Sequence, residues 1–153
     1  MGGTGNYTCD ANGNLTNEPY KGLSQISYNV LNKTDKISFI SSANRYIRYI
    51  YDANGTILEK QQYDNVSGTA TLIHKTDYLD SFVYIDGTLS YFSTAEGRVN
   101  YAAGTFTNEY IISDQQGNAR VSFNNTGTSG AAKVVQENSY YGYGNARYHR
   151  YGR

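Results

Sequence analysis

A ten-residue pattern occurs twice in this chain, and it restricts the fold more than any other feature. Tyr7-Thr8-Cys9-Asp10-Ala11-Asn12-Gly13-Asn14-Leu15-Thr16 matches Tyr49-Ile50-Tyr51-Asp52-Ala53-Asn54-Gly55-Thr56-Ile57-Leu58. The two aspartates stand 42 positions apart, twice a period of about 20. A weaker copy lies between them at Ile26-Ser27-Tyr28-Asn29-Val30-Leu31-Asn32, and a stretched relative runs from Tyr110 to Val121. A short fixed period means stacked supersecondary units, each burying its face on the next. In this chain the unit is one hairpin. The Asp or Asn before the glycine can bond its own backbone two residues on. The preceding tyrosine supplies apolar ring area and a hydroxyl that needs a partner.

The stretches between the turns alternate apolar and polar residues, the mark of strands with one buried face. Ile26 to Val30 and Lys36 to Ile40 alternate strictly, and Arg45 to Tyr51 does so with one slip. Further strands are expected around Leu72 to Tyr78, Ser81 to Ile85, Thr107 to Ile112, Ala119 to Phe123 and Lys133 to Tyr141. Turn signals separate them: Asn12-Gly13, Asn54-Gly55, Asp86-Gly87, Gln116-Gly117 and Asn124 to Gly130. Asn-Gly and Asp-Gly favour type I′ hairpin turns, in which both central residues take positive φ. The pattern leaves room for a helix of one or two turns near Thr94 to Arg98 or Gly130 to Val134. The expected fold is all-β: repeated antiparallel hairpins, about ten to twelve strands, in a twisted, curved open sheet.

Composition narrows the function. The 153 residues fit one domain, 1–153, large enough to bury a core, with the tail 142–153 a further hairpin or a loose end. Lys plus Arg and Asp plus Glu are 13 each, so no electrostatic footprint for duplex nucleic acid exists. No run of about 18 apolar residues is present, so membrane insertion is not expected. The start, Met1 to Asn6, has no basic region followed by an apolar stretch, and no signal peptide is expected. One cysteine, Cys9, excludes an intramolecular disulfide framework and a multi-cysteine zinc site.

The repeat resembles the tyrosine–aspartate (YD) repeat family, in which Tyr-x-Tyr-Asp-Ala-x-Gly-Asn precedes Leu or Ile. The chain is similar to the core of the rearrangement-hotspot (Rhs) and teneurin-like group. Residues Tyr49 to Leu58 match closely, and Tyr7 to Thr16 match except that Cys9 replaces the second tyrosine. Asp114-Gln115-Gln116-Gly117-Asn118-Ala119-Arg120-Val121 resembles the Asp-x-x-Gly-Asn-x-Arg-Val segment near the end of such cores. Phe82 to Leu89 and Tyr91 to Val99 resemble the version in Bacteroidetes-type secreted proteins. The resemblance implies hairpins joined into a long sheet that spirals into a hollow shell, which encloses a C-terminal toxin or presents an adhesive surface. It implies repeat-motif roles for Tyr7, Asp10, Gly13, Tyr49, Tyr51, Asp52, Gly55, Asp114, Gly117, Asn118 and Arg120. The chain departs from the family in length, being too short to close a shell. It also lacks the Asp-Pro-x-Gly-Leu motif, and Gly142-Tyr143-Gly144 stands where the family tends to have Pro-Phe-Gly. A toxin and self-cleavage are therefore not carried over, and the chain resembles a piece of a longer polypeptide or a minimal unit that completes its sheet by association.

No constellation of catalytic residues emerges. His74 lies in a strand pattern, and His149 lies in the basic, tyrosine-rich tail. Two histidines 75 positions apart and one cysteine give no metal spacing. Asp77 and Asp80 flank Tyr78-Leu79 and read as solvated turn carboxylates before they read as a cation site. Cys9, in a tyrosine position, is expected half-buried and structural. Gly2-Gly3-Thr4-Gly5 lacks the Gly-Lys-Ser/Thr of a phosphate loop. Asn-x-Ser/Thr occurs at Asn6, Asn14, Asn32, Asn54, Asn65 and Asn124, as chance allows in so polar a chain. The tail Tyr140 to Arg153 interleaves aromatics with arginines. It reads as the next strand pair, with Arg over Tyr rings, before it reads as a stacking platform for single strands or sugars. The expectation is a non-enzymatic structural module of a secreted or cell-surface protein that forms shell wall or a self-associating fibre or filament, without cofactor. Its partners would be flanking repeats or a second copy at the strand edges. The alternative is a tyrosine-rich surface that binds carbohydrate or a cell-surface partner.

Overall fold

The computed structural model describes residues 6–127 and 131–140, and the backbone of 146–151. It is all-β and antiparallel. The strands are β1 (Thr8–Cys9), β2 (Leu15–Asn17), β3 (Leu23–Tyr28), β4 (Thr34–Phe39), β5 (Ser42–Tyr51), β6 (Ile57–Val66) and β7 (Thr69–Leu79). They continue with β8 (Phe82–Ile85), β9 (Thr88–Thr94), β10 (Gly97–Ala102), β11 (Thr105–Ser113), β12 (Ala119–Asn124), β13 (Lys133–Tyr140) and β14 (Ala146–Tyr151). The only helical turn among the described residues is a 3-10 turn at Pro19–Lys21. Pro19 opens it, where proline's fixed φ fits and its missing N–H costs nothing. No helix among the described residues is long and apolar enough to cross a membrane. The short helices for which the sequence leaves room do not form among the described residues. Thr94 to Arg98 is the tight connection from β9 to β10, and Lys133 and Val134 open β13.

The chain divides into two compact units, Met1–Leu79 with Tyr84–Thr88, and Asp80–Val83 with Leu89–Arg153. In the first, β3 to β7 hydrogen-bond in chain order, each antiparallel to the one before. The register places Ile26 opposite Ile37 and Ile37 opposite Ile47, so one face carries a row of isoleucines. The other face pairs Lys36 with Arg48 and Tyr46 with Tyr63. The Tyr46 and Tyr63 rings stack at 4.5 Å, and the Lys36 ammonium sits 3.9 Å over Tyr46. In the second unit, β9 to β14 pair in the same chain-order manner. β14 joins β13 with Ser139 opposite Tyr148, so the backbone of the tail forms a further strand.

The turns differ from the sequence expectation. True type I′ geometry, with two consecutive positive φ values, occurs at Ser67-Gly68 (51° and 84°), Asp86-Gly87 (50° and 79°) and Ala103-Gly104 (48° and 82°). At Asn12-Gly13, Asn54-Gly55 and Gln116-Gly117 only the glycine is left-handed. These belong to a longer loop organised by the Asp two residues upstream. The Asn124 to Gly130 turn signal runs beyond the described residues at 128–130.

The core is smaller than the chain length suggests. Among the described residues only Ile26 and Val83 are buried apolar side chains, whereas Glu109 and Ser122 are buried polar ones. Within each unit the side chains find their neighbours along and across the strands of the sheet. Stability therefore rests on cross-strand pairs and on the turns more than on an interior.

Candidate functional site

The repeat motif builds one local device four times. Asp52 opens a five-residue loop in which its backbone N–H donates to the Thr56 carbonyl at 2.9 Å, and Gly55 N–H returns to the Asp52 carbonyl at 3.1 Å. The carboxylate Oδ1 of Asp52 accepts from Asn54 N–H at 2.8 Å and Thr56 N–H at 2.9 Å. One side chain thus satisfies two backbone donors that a tight turn would leave to water. Asp10 repeats this with Asn12 and Asn14 at 2.9 and 2.8 Å. Asp114 does so with Gln116 and Asn118, both at 3.0 Å. The fourth copy uses Asn29, whose amide oxygen accepts from Leu31 and Lys33, both at 3.0 Å. The fourth loop position needs a left-handed residue. Gly13, Gly55 and Gly117 fill it at φ 82°, 83° and 80°, and Asn32 fills it at 58°.

The three aspartates ionise below the ordinary aspartate value. For Asp10 the amide of Asn14 is the largest cause, and for Asp52 the backbone N–H of Thr56. For Asp114, desolvation pushes the carboxyl up, and hydrogen bonds from Asn118, Gln116 and Arg120 outweigh it. Carboxylates committed in this way are turn builders. A general base needs the opposite, a value raised toward the working pH.

The tyrosines that precede the Asn29 and Asp52 loops have a separate task, which Tyr140 shares. Tyr28, just before the Asn29 loop, donates its hydroxyl to the Leu15 carbonyl at 2.8 Å. Tyr51, just before the Asp52 loop, donates to the Thr34 carbonyl at 2.7 Å. Leu15 and Thr34 each lie one residue past the loop before. Tyr140 donates to the Ala119 carbonyl at 2.9 Å, and Ala119 lies one residue past the Asp114 loop. Each such tyrosine therefore latches onto the exit of an earlier loop. Burial raises the Tyr51 hydroxyl above the usual tyrosine range. Cys9 and Ser113 hold the equivalent position before the Asp10 and Asp114 loops. Cys9 is exposed, not half-buried, because β1 has only β2 beside it.

The other motif residues sort around this device. Tyr7 is exposed ahead of β1, and Tyr49 sets its ring 6.5 Å from that of Tyr51. Arg120 donates Nε to Asp114 Oδ2 at 2.9 Å and lies 5.2 Å over the Tyr140 ring, so it joins a loop to the next latch. The loops also touch. Asn14 and Asn32 exchange amide hydrogen bonds, with Asn14 Nδ2 2.6 Å from Asn32 Oδ1. A groove of about 520 Å³ runs between the Asn29 and Asp52 loops, lined by Tyr49, Tyr51, Leu31 and the Asp35–Arg48 pair.

A second cluster escaped the sequence reading. Glu109 on β11 is 4% exposed and accepts from Arg98 Nε at 2.9 Å and Asn100 Nδ2 at 2.8 Å. Burial pushes its carboxyl up, and the Arg98 and Asn100 contacts more than offset this, leaving it lowered. Beside it, Gly97 takes φ 154°, and a Cβ there would collide with the Glu109 carbonyl oxygen. No sequence motif marks this cluster, because its partners meet only through the β10–β11 register.

His74 and Asp77 have structural partners, and Asp80 takes a left-handed φ of 54° just past β7. His74 Nδ1 lies 2.8 Å from Asp86 Oδ2, while Asp86 Oδ1 accepts from Lys75 N–H at 2.7 Å. Asp77 pairs with Lys75 at 3.0 Å. Among the described residues no group of three His, Cys, Asp or Glu side chains could hold a metal ion. His149 lies in β14, where only the backbone is described.

No protein-family model matches the chain, and no curated protein matches it. Solved structures do. The crystal structure of TcdB2-TccC3 superimposes with a TM-score of 0.68 at 14% identity, covering 93% of this chain and 8% of that one. The Photorhabdus luminescens Tc holotoxin pore gives 0.69 at 14% identity, covering 93% of this chain and 7% of that one. TcdB2-TccC3 without its hypervariable C-terminal region gives 0.64 at 13%, covering 87% and 7%. The likeness is one of fold, and this chain has the antiparallel hairpin sheet found in a small part of those Tc toxin chains.

Proposed function

We propose that this chain is a structural, non-enzymatic segment of a β-hairpin wall of the YD-repeat, Rhs and teneurin-like kind, in the version carried by Bacteroidetes-type secreted or cell-surface proteins. The recurrence of one loop and one latch carries this reading. Every motif aspartate is spent on its own turn, and the latching tyrosines on the loops before them. The YD motif and the fold likeness to Tc toxin chains support it. Its partners are flanking repeats of a longer polypeptide or the edge strands of another copy, where unpaired N–H and C=O groups template pairing. An immunoblot of the native source against residues 49–60 tests it. A band far above 17 kDa fits a wall segment. A band near 17 kDa from a protein that stays monomeric at all concentrations overturns it.

One observation favours a second reading, a carbohydrate site. The groove between the Asn29 and Asp52 loops offers two tyrosine rings beside an exposed Asp35–Arg48 pair. Rings for sugar faces with nearby charged groups for hydroxyls are a chemistry suited to glycans. Glycan-array binding that Tyr49→Ala abolishes in a folded protein supports it, and an empty array removes it.

A further inference from the structure

On β11 and β12 of the second unit the two buried side chains, Glu109 and Ser122, are polar, and the face opposite them is apolar and partly exposed. Register aligns Phe92 with Val99, Tyr101 with Phe106, Tyr110 with Phe123, and Ile112 with Val121, all on one face. Their rings form a ladder: Phe82 to Phe92 at 5.2 Å, Phe92 to Phe106 at 6.5 Å, Phe106 to Tyr101 at 4.9 Å, and Tyr110 to Phe123 at 5.6 Å. Alternation sends Glu109 and Ser122 to the opposite side, where both are buried. On the aromatic side Phe106 is 58% exposed and Ile112 56%, and Phe82, Tyr110 and Val134 are exposed too. From β9 to β12 this face carries no charged side chain, and Glu137 of β13 stands at its margin.

We propose that this aromatic face docks on the same face of a second copy of the chain, sheet upon sheet. The size fits. The span from Phe82 across β9 to β13, with strands about 4.8 Å apart and about 20 Å long, gives roughly 500 Å² in projection. Two such faces together cover roughly 1,000 Å², the lower bound for a specific but weak interface. The chemistry selects the occupant. A partner bringing charge onto this face would have to desolvate it without a counter-charge. An identical uncharged face brings none, and a two-fold axis makes the contact self-complementary. Two twisted sheets pack about 10 Å apart with interdigitating side chains, which suits a ladder of rings over valines and glycine. This association uses a face and leaves the strand edges free, so it holds or fails independently of the wall reading.

The chain contains no tryptophan, so the Phe106→Trp substitution introduces a clean reporter. The full chain carrying it is studied from about 1 to 200 µM by sedimentation velocity and by indole emission with acrylamide quenching. That range brackets the micromolar affinities at which weak interfaces associate. The expected result is a monomer–dimer equilibrium whose emission moves to the blue, with quenching falling severalfold as dimer forms. The double variant Phe106→Arg, Ile112→Lys should remain monomeric at the highest concentration with an unchanged β-sheet circular dichroism spectrum. Should that variant unfold, the tryptophan reporter decides. A chain that is monomeric throughout, an oligomer that persists in the double variant, or an oligomer whose reporter stays quenchable overturns the proposal. The last two outcomes point to edge pairing and leave the wall reading standing.

Discussion

The hydroxyl of Tyr51 and the carbonyl of Thr34 meet at 2.7 Å, although 17 residues separate them in sequence. This contact turns a pair of neighbouring hairpins into one mechanical piece. Tyr51→Phe removes the donor and keeps the ring. It is expected to cost about 1 kcal/mol, the net value of one such bond. Tyr28→Phe, which frees the Leu15 carbonyl, should cost a similar amount. Chemical denaturation of each variant checks this. Because the folded Tyr51 hydroxyl titrates above free tyrosine, its contribution is fully present below about pH 10 and declines as pH rises beyond it. The phenylalanine variant should lose less stability than the parent as pH rises past about 10.

The turn carboxylates predict the acid limb. Asp10, Asp52 and Asp114 are all lowered in the folded chain. A lowered carboxyl stabilises the fold above its unfolded value and loses that contribution as pH falls through the folded one. Melting temperature should therefore drop below about pH 4. Asn29 already performs the same loop without charge. The triple variant Asp10→Asn, Asp52→Asn, Asp114→Asn should thus keep the hairpins and make the acid limb shallower, Glu109 and Asp86 keeping the rest of it, while Asp52→Ala should lower the melting temperature at every pH.

Arg98 and Glu109 pair across β10 and β11, the carboxylate buried and the guanidinium partly exposed. Arg98→Met leaves a 4% exposed carboxylate without its guanidinium. The expected loss is about 2–3 kcal/mol at neutral pH, below the figure for a fully buried pair because Arg98 is itself partly solvated. The deficit should shrink at acid pH, where the unpaired Glu109 can protonate. Urea titrations at neutral and at acid pH check the sign.

Gly97 tolerates no side chain. Its φ of 154° and the approach of the Glu109 carbonyl oxygen to the place of a Cβ mean that Gly97→Ala must push β11 away. A loss above about 2 kcal/mol is expected, with faster amide exchange in β10 and β11. The opposite sign is expected at Ala103, a non-glycine residue at φ 48° in a type I′ turn. Ala103→Asn should gain about 0.5–1 kcal/mol.

Periodicity made much of the sheet legible. The alternations at Ile26 to Val30, Lys36 to Ile40 and Arg45 to Tyr51 sit within or overlap β3, β4 and β5. β6 was not legible, because Glu59-Lys60-Gln61-Gln62 shows no apolar alternation. Its neighbours β5 and β7 make it a strand through pairing on both sides. Gly97 and a polar run hid β9 and β10. The Asx-x-x-Gly spacing marked the loops, but their geometry depended on a side chain capturing two N–H groups, which a two-residue turn rule does not describe. The latches and the Glu109 cluster were invisible for a common reason: each joins residues 9 to 21 positions apart through register, and register is not written in any local window. The size of the core was not legible either: the length allows an interior, yet among the described residues only Ile26 and Val83 are buried apolar side chains.

The backward reach of the latches has a consequence for how the chain is made. Each tyrosine follows its acceptor by 13, 17 or 21 residues. At ordinary synthesis speeds of about 5–20 residues per second, the acceptor loop waits only about one to four seconds for the hydroxyl that secures it. Nothing further downstream is needed to close that bond. A ribosome can therefore lay down such a sheet hairpin by hairpin, fastening each loop to the row already finished, as knitting does, and its exposed working edge stays about one row deep however long the fabric becomes.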